Sequence, residues 1–391
     1  MARGDALSTL SRSIPYFALY AALYGAFGVA SPFWPEFLET RGLSTPQVAL
    51  TLGSAILIRL IAGPLVGALA DLLNASRVVL ASCVGLAAGA AVSLLSAHTF
   101  WLSLILVVVQ AAALAPTTSI ADALSVNSAN PPNAGARFEY GWIRGAGSAA
   151  FALGTLIMGQ LISPHDLTPV VWMNAGLLIA AAGVTALLPA PPTPLEQRAT
   201  KSVGVIELRR LMSVARFRIL ILVAALVFGS HAMNDTFAVI RWSSAGIGPS
   251  TVSFLWSEAV AAEVIVFLLI GPMLLDRLGE RRAAVLAITA GIARWAVEGI
   301  TNSVLALSLL QPLHGLTFAL LHLACMRVMG ACIPRNMAAT AQSIYGFASG
   351  LVTAGVTLCS GLLYARYGGA AFFPMAALCC VTLPLAWFGL R

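Results

Sequence analysis

Apolar positions run along this chain in blocks too long for an ordinary soluble helix. Residues 78–95, 101–115, 170–188 and 219–229 contain no acid or base. A helix needs about 20 mostly apolar residues to cross the hydrocarbon of a bilayer. On that measure the pattern predicts twelve spans, at 14–38, 46–71, 77–97, 100–127, 138–163, 168–189, 217–242, 250–275, 282–302, 304–331, 338–365 and 369–390. The one substantial polar stretch, 189–216, opens on prolines and continues with Glu207, Arg209 and Arg210. It divides the chain into an N-terminal six-helix bundle (1–190), a cytoplasmic linker (191–216) and a C-terminal six-helix bundle (217–391). The first span reads as a retained helix, because no small-residue cleavage site follows a short apolar core. The expected fold is an all-α integral membrane protein of twelve transmembrane helices in two pseudo-symmetric bundles.

Composition agrees. Of 391 residues 59% are hydrophobic and 9% charged, against roughly 25% charged in soluble domains, so most of the surface must face lipid. The net charge of +7 reports topology rather than nucleic-acid binding. Most Lys and Arg fall at the termini and in alternate loops, among them Arg77, Arg137, Arg209, Arg210, Arg277, Arg281 and Arg335. Only Arg41, Arg241 and Arg366 fall near the opposite ends. That asymmetry places both termini in the cytoplasm of a multi-pass inner (plasma) membrane protein. The six cysteines lie inside predicted spans or, for Cys332, at the inner edge of one, so none is set to form a disulfide in an outer loop.

The two halves echo each other. Gly67-Ala-Leu-Ala-Asp71 with Arg77 ends span two, and Gly271-Pro-Met-Leu-Leu-Asp276 with Arg281 ends span eight, the aspartates 205 residues apart. Paired six-span halves are a transporter plan with the solute site near the midplane between them. Glycines at close-packing spacing, Gly63–Gly67, Gly85–Gly89, Gly141–Gly145 and Gly346–Gly350, predict tight helix contacts.

The aspartate–basic loop resembles the signature loop of the major facilitator superfamily, and the span count, linker and repeat extend that likeness over nearly the whole chain. Phe138-Glu139-Tyr140-Gly141-Trp142-Ile143-Arg144-Gly145 is similar to the start of span five in the lactose-permease-like and phenylpropionate-permease-like branch. Gly229-Ser230-His231, Leu255-Trp256-Ser257, Ala262-Glu263, Arg294-Trp295, Gln311-Pro-Leu-His314 and His322 to Arg327 point to the same branch. The resemblance implies proton symport. It also implies that the acid on span four and the arginine on span five, here Asp122 and Arg144, bind the solute, and that Arg294 and His314 belong to the coupling cluster. The pattern departs at Thr317, where the permease carries its coupling carboxylate, and span eleven has no lysine to pair with Asp235.

An ionisable side chain at span depth costs roughly 2.5–3.5 kcal/mol on insertion scales, so it normally faces a cavity or a partner. Asp122 and Arg144 can offer acceptors and a rigid donor fork to one polar solute; the alternative is a structural ion pair between spans four and five. Tyr24, Phe151, His231, Trp256, His314 and Phe318 complete the expected substrate-binding set. Glu263 is favoured as the proton carrier, with Arg294, His314, His322 and Asp235 around it; a carboxylate beside Arg294 can switch its charge as a water path opens. Asp71, Arg77, Asp276 and Arg281 are expected to latch an inner gate. Arg59 and Arg327 read as packing or snorkelling residues. The chain has no Gly-x-x-x-x-Gly-Lys-Ser/Thr loop for ATP, no His-Glu-x-x-His or Cys-x-x-Cys metal set and no nucleophile–base pair.

The expectation is therefore a monomeric secondary transporter, without cofactor and driven by the proton gradient. It would take up an aromatic carboxylate, sugar or nucleoside; a proton-driven efflux antiporter is the alternative, and a non-transporting sensor or enzyme the remote one.

Overall fold

The computed structural model describes residues 2–129, 139–188 and 205–390, with the side chains of 2–12, 205–207 and 335 left aside. The expected linker lies largely outside the described residues, as does Phe138.

Among the described residues the regular structure is helical throughout. It divides into two compact units, residues 1–42 with 58–199, and 43–57 with 200–391. The first contains α1 (Ala2–Ala30), α2 (Trp34–Thr40), the later part of α3 (Thr45–Leu72), α4 (Ser76–Ser93), α5 (Phe100–Leu114), α6 (Thr117–Ala129), α7 (Tyr140–Leu161) and α8 (Thr168–Leu187). The second contains α9 (Val205–Ser213), α10 (Ala215–Ser230), α11 (Ala232–Ser244), α12 (Pro249–Ile265), α13 (Gly271–Ile300), α14 (Val304–Leu310), α15 (Leu321–Cys332), α16 (Ala338–Tyr367) and α17 (Phe373–Gly389). Residues 43–57, expected with the N-terminal bundle, pack with the second unit. A Cβ on Gly361 would press on Ala49 and Pro46, and one on Gly53 on Leu358.

Nine helical stretches among the described residues are long and apolar enough to cross a membrane. Two of them run 52 residues, about 78 Å of helix against about 30 Å of hydrocarbon. Each is interrupted by a glycine in left-handed backbone, Gly279 (φ 73°) and Gly368 (φ 52°), a conformation that a Cβ disfavours. The described helices thus leave room for the twelve passages expected. Large apolar side chains such as Leu65, Trp101, Leu268, Leu305 and Leu362 stand more than 60% exposed, as a lipid-bathed surface requires.

The repeat seen in the sequence is also written in the backbone. Left-handed residues turn the chain at Gly42 (φ 84°) and Asn74 (φ 48°) in the first unit, and at Gly246 (φ 85°) and Gly279 in the second. Asn74 and Gly279 are separated by the same interval as the two aspartates.

A second device recurs. Arg41 Nη2 donates to the carbonyls of Leu95 (2.6 Å) and Ala97 (3.2 Å), closing the end of the helical passage that begins with α4. In the second unit Arg241 donates to the carbonyl of Glu298 and to those of Gly299 (3.5 Å) and Thr301 (3.3 Å), closing the end of α13. A helix leaves its last carbonyls unpaired and carries partial negative charge there, so a guanidinium fork answers both needs. Arg241 also lies 5.6 Å from the Phe372 ring, and a Cβ on Gly369 would meet its guanidinium at 2.7 Å. Arg241→Ala is therefore expected to cost about 2–3 kcal/mol, the loss of charge-assisted hydrogen bonds at a buried end. That will show as a drop of several degrees in the thermal midpoint of the purified protein. Arg366→Ala, which removes an exposed arginine stacked on Tyr367, should change it by less than a degree.

Close packing occurs at other glycines than the spacing suggested. A Cβ on Gly67, Gly85, Gly89, Gly141, Gly145 or Gly346 would meet nothing within 4 Å, and one on Gly63 only ordinary contacts with Ala115. Tight approach falls instead where α1 crosses α7. A Cβ on Gly154 would sit 2.8 Å from the Gly25 carbonyl, and one on Gly28 would overlap the Phe151 carbonyl. A four-residue spacing puts two glycines on one helix face; it does not say which face is packed. Polar side chains bind the same region together. Thr155 donates to the Gly28 carbonyl (2.7 Å), Asn174 to the Ala26 carbonyl (2.9 Å), and Gln110 to the Asn174 side chain (3.2 Å).

Candidate functional site

In the first unit, Tyr16, Tyr20 and Tyr24 recur every four residues on α1 and so share one face. Each meets a different partner from later in the chain. Tyr16 hydrogen-bonds Ser128, and Tyr20 donates to the Asp122 carboxylate on α6. Tyr140, in the first turn of α7, donates to the same Oδ1 at 2.8 Å. Tyr20 stacks on Tyr24 with ring centres 5.5 Å apart, and Phe27 meets Tyr24 edge-on at 5.6 Å.

Arg144 is one turn further along α7 than Tyr140, and its guanidinium lies 4.5 Å from the centre of the Tyr24 ring. It is exposed. Among the described residues the ion pairs are Arg216–Glu280, His314–Glu263 and Arg327–Asp276, so Arg144 has no carboxylate within pairing distance. No Asp122–Arg144 ion pair forms among the described residues. Asp122 is held by two tyrosines, while the cation rests on an aromatic face with its donor fork uncommitted among the described residues. Phe151, partly exposed on α7, lends its backbone to the contact with α1.

In the second unit the ionisable groups form a connected chain. Glu263 Oε2 lies 3.4 Å from His314 Nε2. His314 Nδ1 lies 3.0 Å from Arg294 Nη1, and Arg294 Nη2 donates to Gln311 Oε1 at 3.3 Å. Because Arg294 can only donate, Nδ1 must accept, which leaves the His314 proton on Nε2, facing the Glu263 carboxylate. Arg294 is 1% exposed and lies over the ring of Trp295 at 4.6 Å; the Trp295 indole N–H is bound by Ser230 Oγ at 2.9 Å. His231 is buried beside Trp295 and His314, with ring centres 5.1 and 5.2 Å away, and Phe318 stacks on His314 at 5.7 Å. Asp235, four residues on from His231, is exposed and within electrostatic reach of His314 and Arg294.

His322 is also within reach of the Glu263 charge, with Nδ1 3.1 Å from the Tyr345 hydroxyl. Helices α12 and α15 abut five- and six-residue π-helical segments, Val266–Ile270 and Gly315–Leu320, which begin shortly after Glu263 and directly after His314. A π turn widens the helix and often marks a functional position. Here the two widened segments meet, since a Cβ on Gly315 would strike the Val266 side chain at 2.7 Å, as well as the Ala262 carbonyl of α12 at 2.6 Å. Trp256 is half-buried on α12 and takes no part in these ring contacts. Glu258 is held by the Ser308 hydroxyl at 2.7 and 2.9 Å.

The expected latch residues pair differently from the expectation. Asp276 accepts from Arg327 at 2.5 Å rather than from Arg281, and Arg327 also donates to the Leu275 carbonyl. Arg281 instead lies over Trp387, 4.7 Å from its ring. Arg77 donates to the Ala186 carbonyl at the end of α8 (3.1 Å) and lines, with Asp71, Asn74 and Thr185, a cavity of about 540 Å³. Arginines adjacent to a loop in sequence found their partners on other helices, where depth and rotation decide the contact. Sequence reasoning missed Tyr20 and Tyr140 as the partners of Asp122, although the 16–20–24 spacing that puts Tyr20 on a tyrosine face of α1 was readable, and it missed Gln311 as an anchor for Arg294.

Comparison with known proteins follows the same lines. The model of the MFS_1 like family matches residues 11–375. A protein of Escherichia coli (strain K12) described as a "Probable 3-phenylpropionic acid transporter" is 30% identical over 371 residues, covering 91% of this chain and 92% of that protein. Among solved structures, the nucleoside transporter NupG superposes with a TM-score of 0.82 at 16% identity over 97% of this chain and 98% of that one. A D-xylose-proton symporter does so with a TM-score of 0.68 at 17% identity, over 97% of each chain.

Proposed function

We propose, from the premise that this chain belongs to the MFS_1 like family of major facilitator transporters, that it is a proton-coupled symporter that takes up a small aromatic carboxylate. Membership makes it a multi-pass membrane transporter of small molecules and not an enzyme; the solute class, the coupling ion and an inner-membrane location are what we infer beyond membership.

The observation that carries the solute class is Arg144. A guanidinium that lies on Tyr24, without a carboxylate partner among the described residues, has its fork free for an anion. Arg matches a carboxylate with two parallel hydrogen bonds. The adjoining rings of Tyr20, Tyr24 and Phe27 offer faces and edges to an aromatic group. The name of the Escherichia coli relative, a phenylpropionic acid transporter, supports the same pairing of ring and acid. Proton coupling is supported by the Glu263–His314–Arg294 chain, in which a titratable acid is one imidazole away from a fixed cation.

The solute class is tested by thermal stabilisation of the purified protein. Phenyl-substituted short carboxylates should raise the midpoint in a dose-dependent way, and their uncharged amides should not. Stabilisation by sugars or nucleosides, with none by carboxylates, would overturn the assignment.

A further inference from the structure

Glu298 is 0% exposed, and neither carboxylate oxygen has a hydrogen-bond partner among the described residues. It lies one turn beyond Arg294 on α13, the spacing at which two side chains of a helix meet. The guanidinium nevertheless turns toward His314 and Gln311, and its Nε is itself without a partner. Two groups placed to form an ion pair are thus both left incomplete.

The surroundings of Glu298 can be named helix by helix. Arg294 shares its own helix, Asp235 and Arg241 face it from α11, and all three are close enough to act on its charge. The Arg241 guanidinium is spent on the carbonyls of Glu298, Gly299 and Thr301, with Tyr364 of α16 also near it. Beyond Arg294 stand His314 and His231. The segment from Gly368 to Gly389 carries no acid or base apart from the thiols of Cys379 and Cys380. A carboxylate buried with no donor is strongly disfavoured in its charged form.

We propose that Glu298 is a second proton-binding site of the C-terminal unit, which keeps its proton while Arg294 is held by His314 and Gln311 and gives it up when the guanidinium turns back to it. His314 sets the choice. While its Nδ1 is unprotonated it accepts from Arg294. A proton added at Nδ1 removes that acceptor and places two cations side by side, so Arg294 leaves. As the Arg294 fork closes on Glu298, the Glu298 O–H bond breaks and the proton passes to Asp235, the exposed carboxylate nearby. One proton is gained at His314 and one is released at Glu298, and no further reactant is needed. The proposal deepens the proton-coupling reading above by adding a site that reading does not use.

Infrared difference spectroscopy on the full-length protein in lipid, without solute, tests it. The wild type should show the C=O stretch of a protonated, buried carboxylic acid near neutral pH, lost in Glu298→Gln and shifted in Glu298→Asp. Its sign with pH is distinctive. Acidification should weaken this band by at least about half in the wild type, and leave it unchanged in His314→Gln, whose amide cannot take the proton. A wild-type spectrum with no band sensitive to either substitution at Glu298 would overturn the proposal, as would growth of the Glu298-sensitive band on acidification. The Glu298→Asp arm keeps the test open should Glu298→Gln fold poorly. Because the band is read without solute or gradient, this result and that of a transport assay stand or fall separately.

Discussion

Arg144→Ala is expected to weaken solute binding by at least about 100-fold, or about 2.7 kcal/mol, while leaving the protein folded. The magnitude follows from what the residue does in the structure. Its guanidinium makes no ion pair among the described residues, and it rests on the face of Tyr24. Losing a cation–π contact at an exposed position costs only about 0.5–1 kcal/mol, so the thermal midpoint without ligand should fall little. In the complex the same group would hold a carboxylate by two charge-assisted bonds, and truncating such a partner costs several-fold more. Arg144→Lys separates charge from shape. It keeps the positive charge but loses the planar fork, and should bind about tenfold more weakly than the wild type. Isothermal calorimetry on the detergent-purified variants reads both numbers. Equal affinity in Arg144→Ala and the wild type would remove the arginine from the solute site.

Glu263→Gln is expected to abolish gradient-driven accumulation and to preserve exchange. Gln has the size of Glu and can still accept the hydrogen bond from His314 Nε2, now 3.4 Å from the carboxylate, but it cannot take up or release a proton. A carrier loaded on both faces with solute needs no net proton movement to swap one molecule for another, so counterflow should stay within about twofold of the wild type. Net uptake against a gradient requires the empty carrier to return deprotonated, and that step is lost. Proteoliposomes measure both rates in the same preparation. Intact accumulation by Glu263→Gln would move the proton role to another carboxylate.

Much of this arrangement was legible in the chain. The long uncharged runs marked the helices, the aspartate–basic loops marked the repeat, and charges at membrane depth drew attention to Asp122, Arg144, Glu263, Arg294 and His314. Positions that share a helix face follow from spacing, as the tyrosines at 16, 20 and 24 show. Contacts between helices do not. Which tyrosine reaches Asp122 depends on the rotation of α1, 102 residues away in sequence; that Asp276 meets Arg327 depends on the relative depth of α13 and α15. The π segments were hidden for a related reason. Gly315 and Gly271 look like ordinary helix glycines until a Cβ is placed on them and strikes a neighbouring backbone. Glu298 falls within the predicted span 282–302, but its lack of a donor among the described residues is a property of the packed unit alone.

The coupling itself is the most direct test of the account. Purified wild-type protein is reconstituted into vesicles with no imposed gradient, an aromatic carboxylate is added outside, and external pH is recorded together with solute entry. The account predicts that the outside becomes alkaline as solute enters, and that Arg144→Ala vesicles show neither signal. Solute entry without any pH change, or with external acidification as an antiporter would give, contradicts it.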